Sequence, residues 1–268
     1  MRSEELRIGV FDSGLGGLTV VKALTKVIQN ADIFYLADTK NAPYGEKTPK
    51  QILQFSLDIT QYFLDAYKID ILIVACNTAT SAAIEILRER YPHLIIIGTE
   101  PGIKPAIEHT LTGKIGILAT PATLSGEKYQ SLANRVANQK NIQLFEQACP
   151  GLVEQIEKGE ISSDETKKLL EQWLLPMNEN GVDTIVLGCT HYPLVGKTIS
   201  EIMHCDVTLI ETGSAIARRT LDMALQRAHK NHGKCTIQME STGSIDCQAA
   251  ISILGQETVC HKINIINH

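Results

Sequence analysis

A chain of 268 residues, 44% hydrophobic and 21% charged, has the makeup of a globular protein of one or two domains with enough length to bury a sizeable core. Its net charge of −5, with Lys and Arg scattered along the chain, excludes a nucleic-acid footprint built on bulk electrostatics. No apolar run approaches a membrane span, and the charged start Met1-Arg2-Ser3-Glu4-Glu5-Leu6 is unlike a secretory signal, so the cytoplasm is the expected compartment.

Ile8-Gly9-Val10-Phe11 reads as a first buried strand. The glycine-rich turn Asp12-Ser13-Gly14-Leu15-Gly16-Gly17 follows, then Leu18, Val21, Leu24 and Ile28 at helical spacing. Such a turn can present backbone N–H groups to an anion. It has neither the Gly-x-Gly-x-x-Gly of dinucleotide sites nor the Lys-Ser/Thr ending of a Walker loop, so ligand contact and a plain tight turn both remain open. Residues 32–36 form a second strand, and the loop 37–45, rich in turn residues, leads to a helix start at Thr48-Pro49. Ile52, Phe55, Ile59, Tyr62 and Phe63 line one face of that helix. Ile71-Leu72-Ile73-Val74 is a third strand, and it ends in Ala75-Cys76-Asn77-Thr78-Ala79. A helix to Arg90 and a strand at 94–98 complete the first run.

A second run has the same order. Lys114-Ile115-Gly116-Ile117-Leu118-Ala119 is a strand, Thr120-Pro121-Ala122-Thr123 a turn, and a helix continues to about Asn138. Residues 142–145 form a strand, Cys149-Pro150-Gly151 opens a loop, and Leu152, Val153, Ile156, Leu169, Leu170, Trp173 and Leu174 mark helices. Thr184-Ile185-Val186-Leu187 then leads into Gly188-Cys189-Thr190-His191-Tyr192-Pro193. A helix and the strand 207–210 close the run. Alternating strands and helices predict parallel sheets, and the repeated order reads as an internal duplication. The expected fold is α/β: two similar, doubly wound, mostly parallel-sheet domains related by pseudo-two-fold symmetry, with the active site in the cleft between them. The expected domains are residues 1–98 with 210–268, and residues 99–209. In the returning segment, a helix at 214–227 and strands at 235–239 and 259–265 extend the first sheet.

The seven cysteines are odd in number, widely spaced and without a Cys-x-x-Cys pair, which argues against a disulfide framework or a zinc knuckle. Cys205, Cys235, Cys247 and Cys260 read as buried small hydrophobes without a role. Cys76 and Cys189 differ. Each follows a buried strand, where open α/β sheets place their ligands, and each is expected beside a helix N-terminus that favours thiolate. Asp12, Ser13, Tyr44, Gly45, Asn77, Thr78, Thr190 and His191 are the polar neighbours, and no Arg clamp is among them. A small anionic ligand held by neutral donors fits that set.

Four chemistries compete for the two thiols. They could ligate a metal, although the Cys/His spacing matches no zinc signature. They could form a redox disulfide, although such pairs usually lie close in sequence. One could be a nucleophile with His191 as base. Or they could be paired acid and base on opposite faces of one carbon, a racemisation. Only the last explains equivalent positions in two similar halves. Plainer readings stand beside these: Asp12 as a helix cap, His191 as a satisfied histidine, Asp38 as a brace for its loop, and Tyr44 as a wall.

The stretches Phe11-Asp12-Ser13-Gly14-Leu15-Gly16-Gly17, Asp38…Pro43-Tyr44-Gly45, Ala75-Cys76-Asn77-Thr78-Ala79 and Gly188-Cys189-Thr190-His191-Tyr192-Pro193 together resemble the aspartate/glutamate racemase family. The resemblance implies cofactor-independent interconversion of L- and D-glutamate, which supplies D-glutamate for bacterial peptidoglycan. It implies Cys76 and Cys189 as the two bases, with Asp12 and His191 assisting. A glutamate supports the histidine, with Glu157 the first match and Glu154 the second. Substrate contacts carry over to Asp12, Ser13, Tyr44, Gly45, Asn77, Thr78, Thr190 and His191, and also to Thr120. A homodimer is implied, with no nucleic-acid or membrane partner.

Overall fold

The computed structural model describes residues 6–137, 141–203, 206–255 and 259–262. The charged start at residues 1–5, the helix end at Asn138, the side chains of Cys205 and Cys260, and the strand residues 263–265 lie outside the described residues. The chain divides into two compact units, Met1–Thr99 with Gly213–His268, and Glu100–Thr212. The sequence places these breaks at 98/99 and 209/210.

The first unit is built on a parallel sheet. Strands β1 (Leu6–Asp12), β2 (Ala31–Ala37), β3 (Ile71–Val74) and β4 (Ile95–Gly98) are joined by β9 (Cys235–Ser241) and β10 (Val259–Lys262), in the order β10-β9-β2-β1-β3-β4. Successive side chains of a strand face opposite ways, and both faces here are apolar. Ile8, Val10, Ile33, Ile71, Ile73 and Ile97 pack with Leu18, Val21 and Leu24 of α1 (Leu18–Val27), with Ile216 and Ala217 of α10 (Gly213–Gln226), and with Leu254 of α11 (Cys247–Leu254). Phe11, Leu36, Leu72, Val74 and Ile96 pack on the other face with Ile52, Ile59 and Phe63 of α2 (Pro49–Tyr67) and with Ala79, Ala83 and Leu87 of α3 (Asn77–Arg90). Helix α2 starts at the expected Thr48-Pro49. The Thr48 hydroxyl accepts the Gln51 N–H at 3.3 Å and the Gln51 carboxamide accepts the Thr48 N–H at 3.0 Å. This capping box is worth about 1 kcal/mol.

The second unit has a four-stranded parallel sheet, β6-β5-β7-β8, from β5 (Lys114–Ala119), β6 (Gln143–Ala148), β7 (Thr184–Gly188) and β8 (Thr208–Ile210). Leu118, Ile185 and Leu187 pack on α7 (Leu152–Glu157), α8 (Asp164–Glu179) and α9 (Gly196–Ile202). Ile115, Ile117 and Val186 pack on α4 (Ile103–His109) and α6 (Glu127–Ala137). The four strands run in the same order as β2-β1-β3-β4. In both sheets the order switches beside the first strand, at β1/β3 and β5/β7, which is where open α/β sheets hold ligands.

Two local expectations change. The turn at 120–123 is the first turn of a short helix, α5 (Pro121–Ser125), with Thr120 as N-cap and Pro121 in the position that favours it. Gly126, in extended conformation, separates α5 from α6. After Cys189 no α-helix begins at once. A 3-10 turn at Tyr192–Val195 intervenes, with Pro193 in its first positions, and α9 starts only at Gly196. Among the described residues no helix is long and apolar enough to cross a membrane.

Candidate active site

In the first unit, β1, β2 and β3 end side by side, and the turns that follow them are tied together. The Ala75 N–H donates to the Phe11 carbonyl at 2.9 Å, and the Asp38 N–H donates to the Asp12 carbonyl at 2.8 Å. Asp12 is wholly buried and its side-chain carboxyl accepts the Gly17 N–H at 2.6 Å, which closes the glycine-rich turn. Gly17 is required by close approach. A Cβ there would lie 2.7 Å from the Asp12 Cβ and 2.9 Å from the Tyr35 hydroxyl, which itself donates to the Gly14 carbonyl at 2.5 Å. Ser13 is buried in the same turn.

Cys76 is the N-cap of α3. Its Sγ accepts the Ala79 N–H at 3.5 Å, a position where the helix macrodipole favours negative charge on sulfur. Asn77 and Thr78 are buried in the first turn of α3. Neither the oxygen nor the nitrogen of the Asn77 carboxamide has a hydrogen-bond partner among the described residues. A buried amide left in that state costs about 1–3 kcal/mol, and a polar ligand is the natural partner.

Tyr44, also buried, packs in the cluster that contains Phe11, Leu36 and Cys76, and Gly45 follows it in a 3-10 turn, Tyr44–Glu46. The Tyr44 O–H donates to Asp38 at 2.6 Å. Burial, reinforced by Asp38 and by the nearby Cys76 and Asp12, pushes the phenol well above its ordinary range, so it keeps its proton. Asp12, Asp38, Tyr44 and Cys76 therefore occupy one electrostatic neighbourhood.

In the second unit the strand ends correspond. The Cys149 N–H donates to the Ala119 carbonyl at 3.0 Å, as Asp38 does to Asp12. Thr120 caps α5, its hydroxyl accepting the Thr123 N–H at 3.2 Å. Cys189 follows β7, and its Sγ lies 3.7 Å from His191 Nδ1. His191 Nε2 lies 2.5 Å from Glu157 Oε1, so of the two glutamates of α7 it is Glu157, its last residue, that meets the histidine. Thr190 is buried between Cys189 and His191. Unlike Cys76, Cys189 does not cap an α-helix; a histidine stands where the first unit has a helix N-terminus.

Sequence reasoning did not assign Cys149 or Tyr192 to this neighbourhood. The Cys149 thiol is pushed up to about 12, by burial first and by Cys189 nearby, and so stays neutral. The Tyr192 O–H donates to the Cys149 carbonyl at 3.5 Å, and its phenol is raised by burial and then by Cys189. The available signal was the position of Cys149 at a strand end matching that of Asp38. Among the described residues no three His, Cys, Asp or Glu side chains converge to hold a metal ion.

Residues 12–220 match the family described as Asp/Glu/Hydantoin racemase. The chain is 64% identical to a glutamate racemase of Sulfurovum sp. (strain NBC37-1), over 96% of this chain and 97% of that one. Among solved structures it is similar to the Francisella tularensis glutamate racemase in complex with D-glutamate, with TM-score 0.83 and 26% identity over 98% of both chains. It is equally similar, at TM-score 0.83 and 28% identity, to the Escherichia coli glutamate racemase in complex with L-glutamate and the activator UDP-MurNAc-Ala, over 98% of this chain and 99% of that one. The doubled strand order, the cysteine that follows the third shared strand of each sheet, and a relationship that runs nearly end to end lead to one conclusion: the chain is an isomerase that belongs to the Asp/Glu/hydantoin racemase family.

Proposed function

We propose that this protein interconverts L- and D-glutamate without a cofactor, with Cys76 and Cys189 as the two bases. One thiolate removes the Cα proton, and the other thiol returns a proton to the opposite face. The observation that carries this reading is the repeated placement. Four strands of each sheet share one order, β2-β1-β3-β4 and β6-β5-β7-β8, and a cysteine follows the third of them in both. Thiols suit a proton exchange of this kind, because their ordinary pKa of about 8.5 can be tuned toward neutrality. Removing a proton beside a carboxylate builds negative charge, which prearranged N–H and hydroxyl donors stabilise. In this reading Ser13, Tyr44, Gly45, Asn77, Thr78, Thr120, Thr190 and His191 hold glutamate. Asp12 assists Cys76, and the His191–Glu157 pair assists Cys189. The unmet hydrogen-bonding capacity of Asn77 supports a polar ligand at the first turn of α3. The relatives bound to D- and L-glutamate support the substrate. The product supplies D-glutamate for peptidoglycan, and the enzyme works in the cytoplasm as a homodimer.

A circular-dichroism time course on L-glutamate, with L-aspartate alongside and protein freed of pyridoxal phosphate, tests the reading. Decay of the glutamate signal toward zero is expected, with aspartate unchanged. Cys76→Ser and Cys189→Ser are each expected to lower kcat by about a hundredfold or more, the usual weight of a general acid or base. Full racemisation by either variant rejects the two-base scheme. Binding of glutamate without any change in its optical signal makes the chain a binding protein.

A further inference from the structure

The segment after β9 lies outside the racemase match at residues 12–220, yet it reaches the candidate site. Strands β9 and β2 pair in parallel with Ser241 opposite Ala37, so both end at one level and Thr242 emerges beside Asp38. Four hydrogen bonds join the two loops. The Thr242 N–H donates to the Ala37 carbonyl at 3.1 Å, and its hydroxyl donates to Asp38 Oδ1 at 2.6 Å. The same hydroxyl accepts the Lys40 N–H at 3.1 Å, and the Gly243 N–H donates to Thr39 Oγ1 at 3.0 Å. The approach is tight: a Cβ on Gly243 would lie 2.8 Å from Thr39 Oγ1 and 2.9 Å from the Lys40 nitrogen.

Asp38 is 1% exposed and Thr242 7%, so this carboxylate depends on protein donors. Its Oδ1 accepts from Thr242. Its Oδ2 accepts from Tyr44 at 2.6 Å, and the Asn41 amide reaches both oxygens at 3.0–3.1 Å. Two hydroxyls thus hold the carboxylate from opposite ends, one of them on the side chain expected to face glutamate. Because Tyr44 gives its proton to Asp38, the phenol oxygen can offer only lone pairs elsewhere. Its direction is set by Asp38, and that of Asp38 by Thr242 together with Asn41.

We propose that Thr242, acting through Asp38, is a positioning residue for Tyr44 in the glutamate site. The proposal rests on the racemase reading above. A mere loop brace would affect stability alone. A positioning residue alters how firmly substrate is held in ground and transition states alike, and so moves KM more than kcat.

The test is steady-state racemisation of L-glutamate by wild type, Thr242→Val, Thr242→Ser, Tyr44→Phe and the Thr242→Val/Tyr44→Phe double variant. Thr242→Val, nearly isosteric, is expected to raise KM about tenfold, the weight of one hydrogen bond to a buried charge, while kcat falls less than about threefold. Thr242→Ser is expected to restore KM, and the double variant to match Tyr44→Phe alone. Unchanged KM in a folded Thr242→Val overturns the proposal, as does full additivity with Tyr44→Phe. Thr242→Ser as impaired as Thr242→Val does the same. Wild type that leaves glutamate optically unchanged refutes the racemase reading itself, and the positioning role with it.

Discussion

His191 is held at both nitrogens, by Glu157 at Nε2 and by the Cys189 sulfur 3.7 Å from Nδ1. A carboxylate on Nε2 keeps a proton there, so Nδ1 turns a lone pair toward a thiol or an N–H toward a thiolate. Either arrangement lets the imidazole follow the charge on sulfur. Glu157→Gln keeps the shape and removes the charge. It is expected to lower kcat about 10- to 100-fold, the weight of a charge-assisted hydrogen bond, while Glu154→Gln stays within about twofold of wild type. Racemisation assays on the two variants check this. The sequence could not choose between these glutamates, because positions three apart share one helix face. The pairing of Asp38 with Thr242 was beyond its reach for another reason: the two lie 204 residues apart, and no local pattern encodes so distant a contact.

At the scale of elements, Asp183 shows how a loop fixes a strand. It precedes β7 and accepts from the Thr110 hydroxyl at 2.6 Å, the Leu111 and Thr112 N–H groups at 2.8 Å each, and the Thr184 hydroxyl at 3.0 Å. Partial burial pushes its carboxyl up, but these donors outweigh that and hold it below its ordinary value. A carboxyl with a depressed folded pKa stabilises above the unfolded value of about 3.9 and loses that contribution as pH falls through the folded one. Solvent screens a part-exposed carboxylate, so Asp183→Asn is expected to lower Tm at pH 7 by at most about 2 °C, less than the shift for 1 kcal/mol in a chain of this size. The difference should shrink as pH falls below the ordinary carboxyl range of about 4, measured by thermal melts across pH. The strands themselves were readable as apolar runs, since strands buried on both faces need no alternation. The break at Gly126 and the 3-10 turn after Cys189 were not, because apolar periodicity does not separate one long helix from two short pieces.

Taken as a molecule, the chain pairs one continuous unit with one discontinuous unit. Residues 100–212 contain their own sheet and both of its covering layers. Residues 1–99 do not. The outer edge of β2 is paired along all seven of its residues by β9, and Ile216, Ala217, Met239 and Leu254 complete the core over Ile8 and Val10. Expressed as separate fragments, 100–212 is expected to unfold in one cooperative thermal transition. Residues 1–99 should show none and should aggregate through a bare edge. Calorimetry and light scattering distinguish the two outcomes. The strand-helix alternation announced two halves. That the last quarter of the chain repairs the first half has no local signal, because β9 meets β2 only across the whole of the second unit in sequence.

The discontinuity has a consequence for biosynthesis. A ribosome adds residues one at a time from the amino end, and domains generally fold as they emerge. Residues 100–212 can settle while the nascent chain is still growing. The opening hundred residues must wait, exposed, until the segment carrying β9 has been translated. Thr242 arrives later still, so the surroundings of Tyr44 are among the last parts to take shape, and a ribosome that stalls late leaves a polypeptide with one finished lobe and no working enzyme.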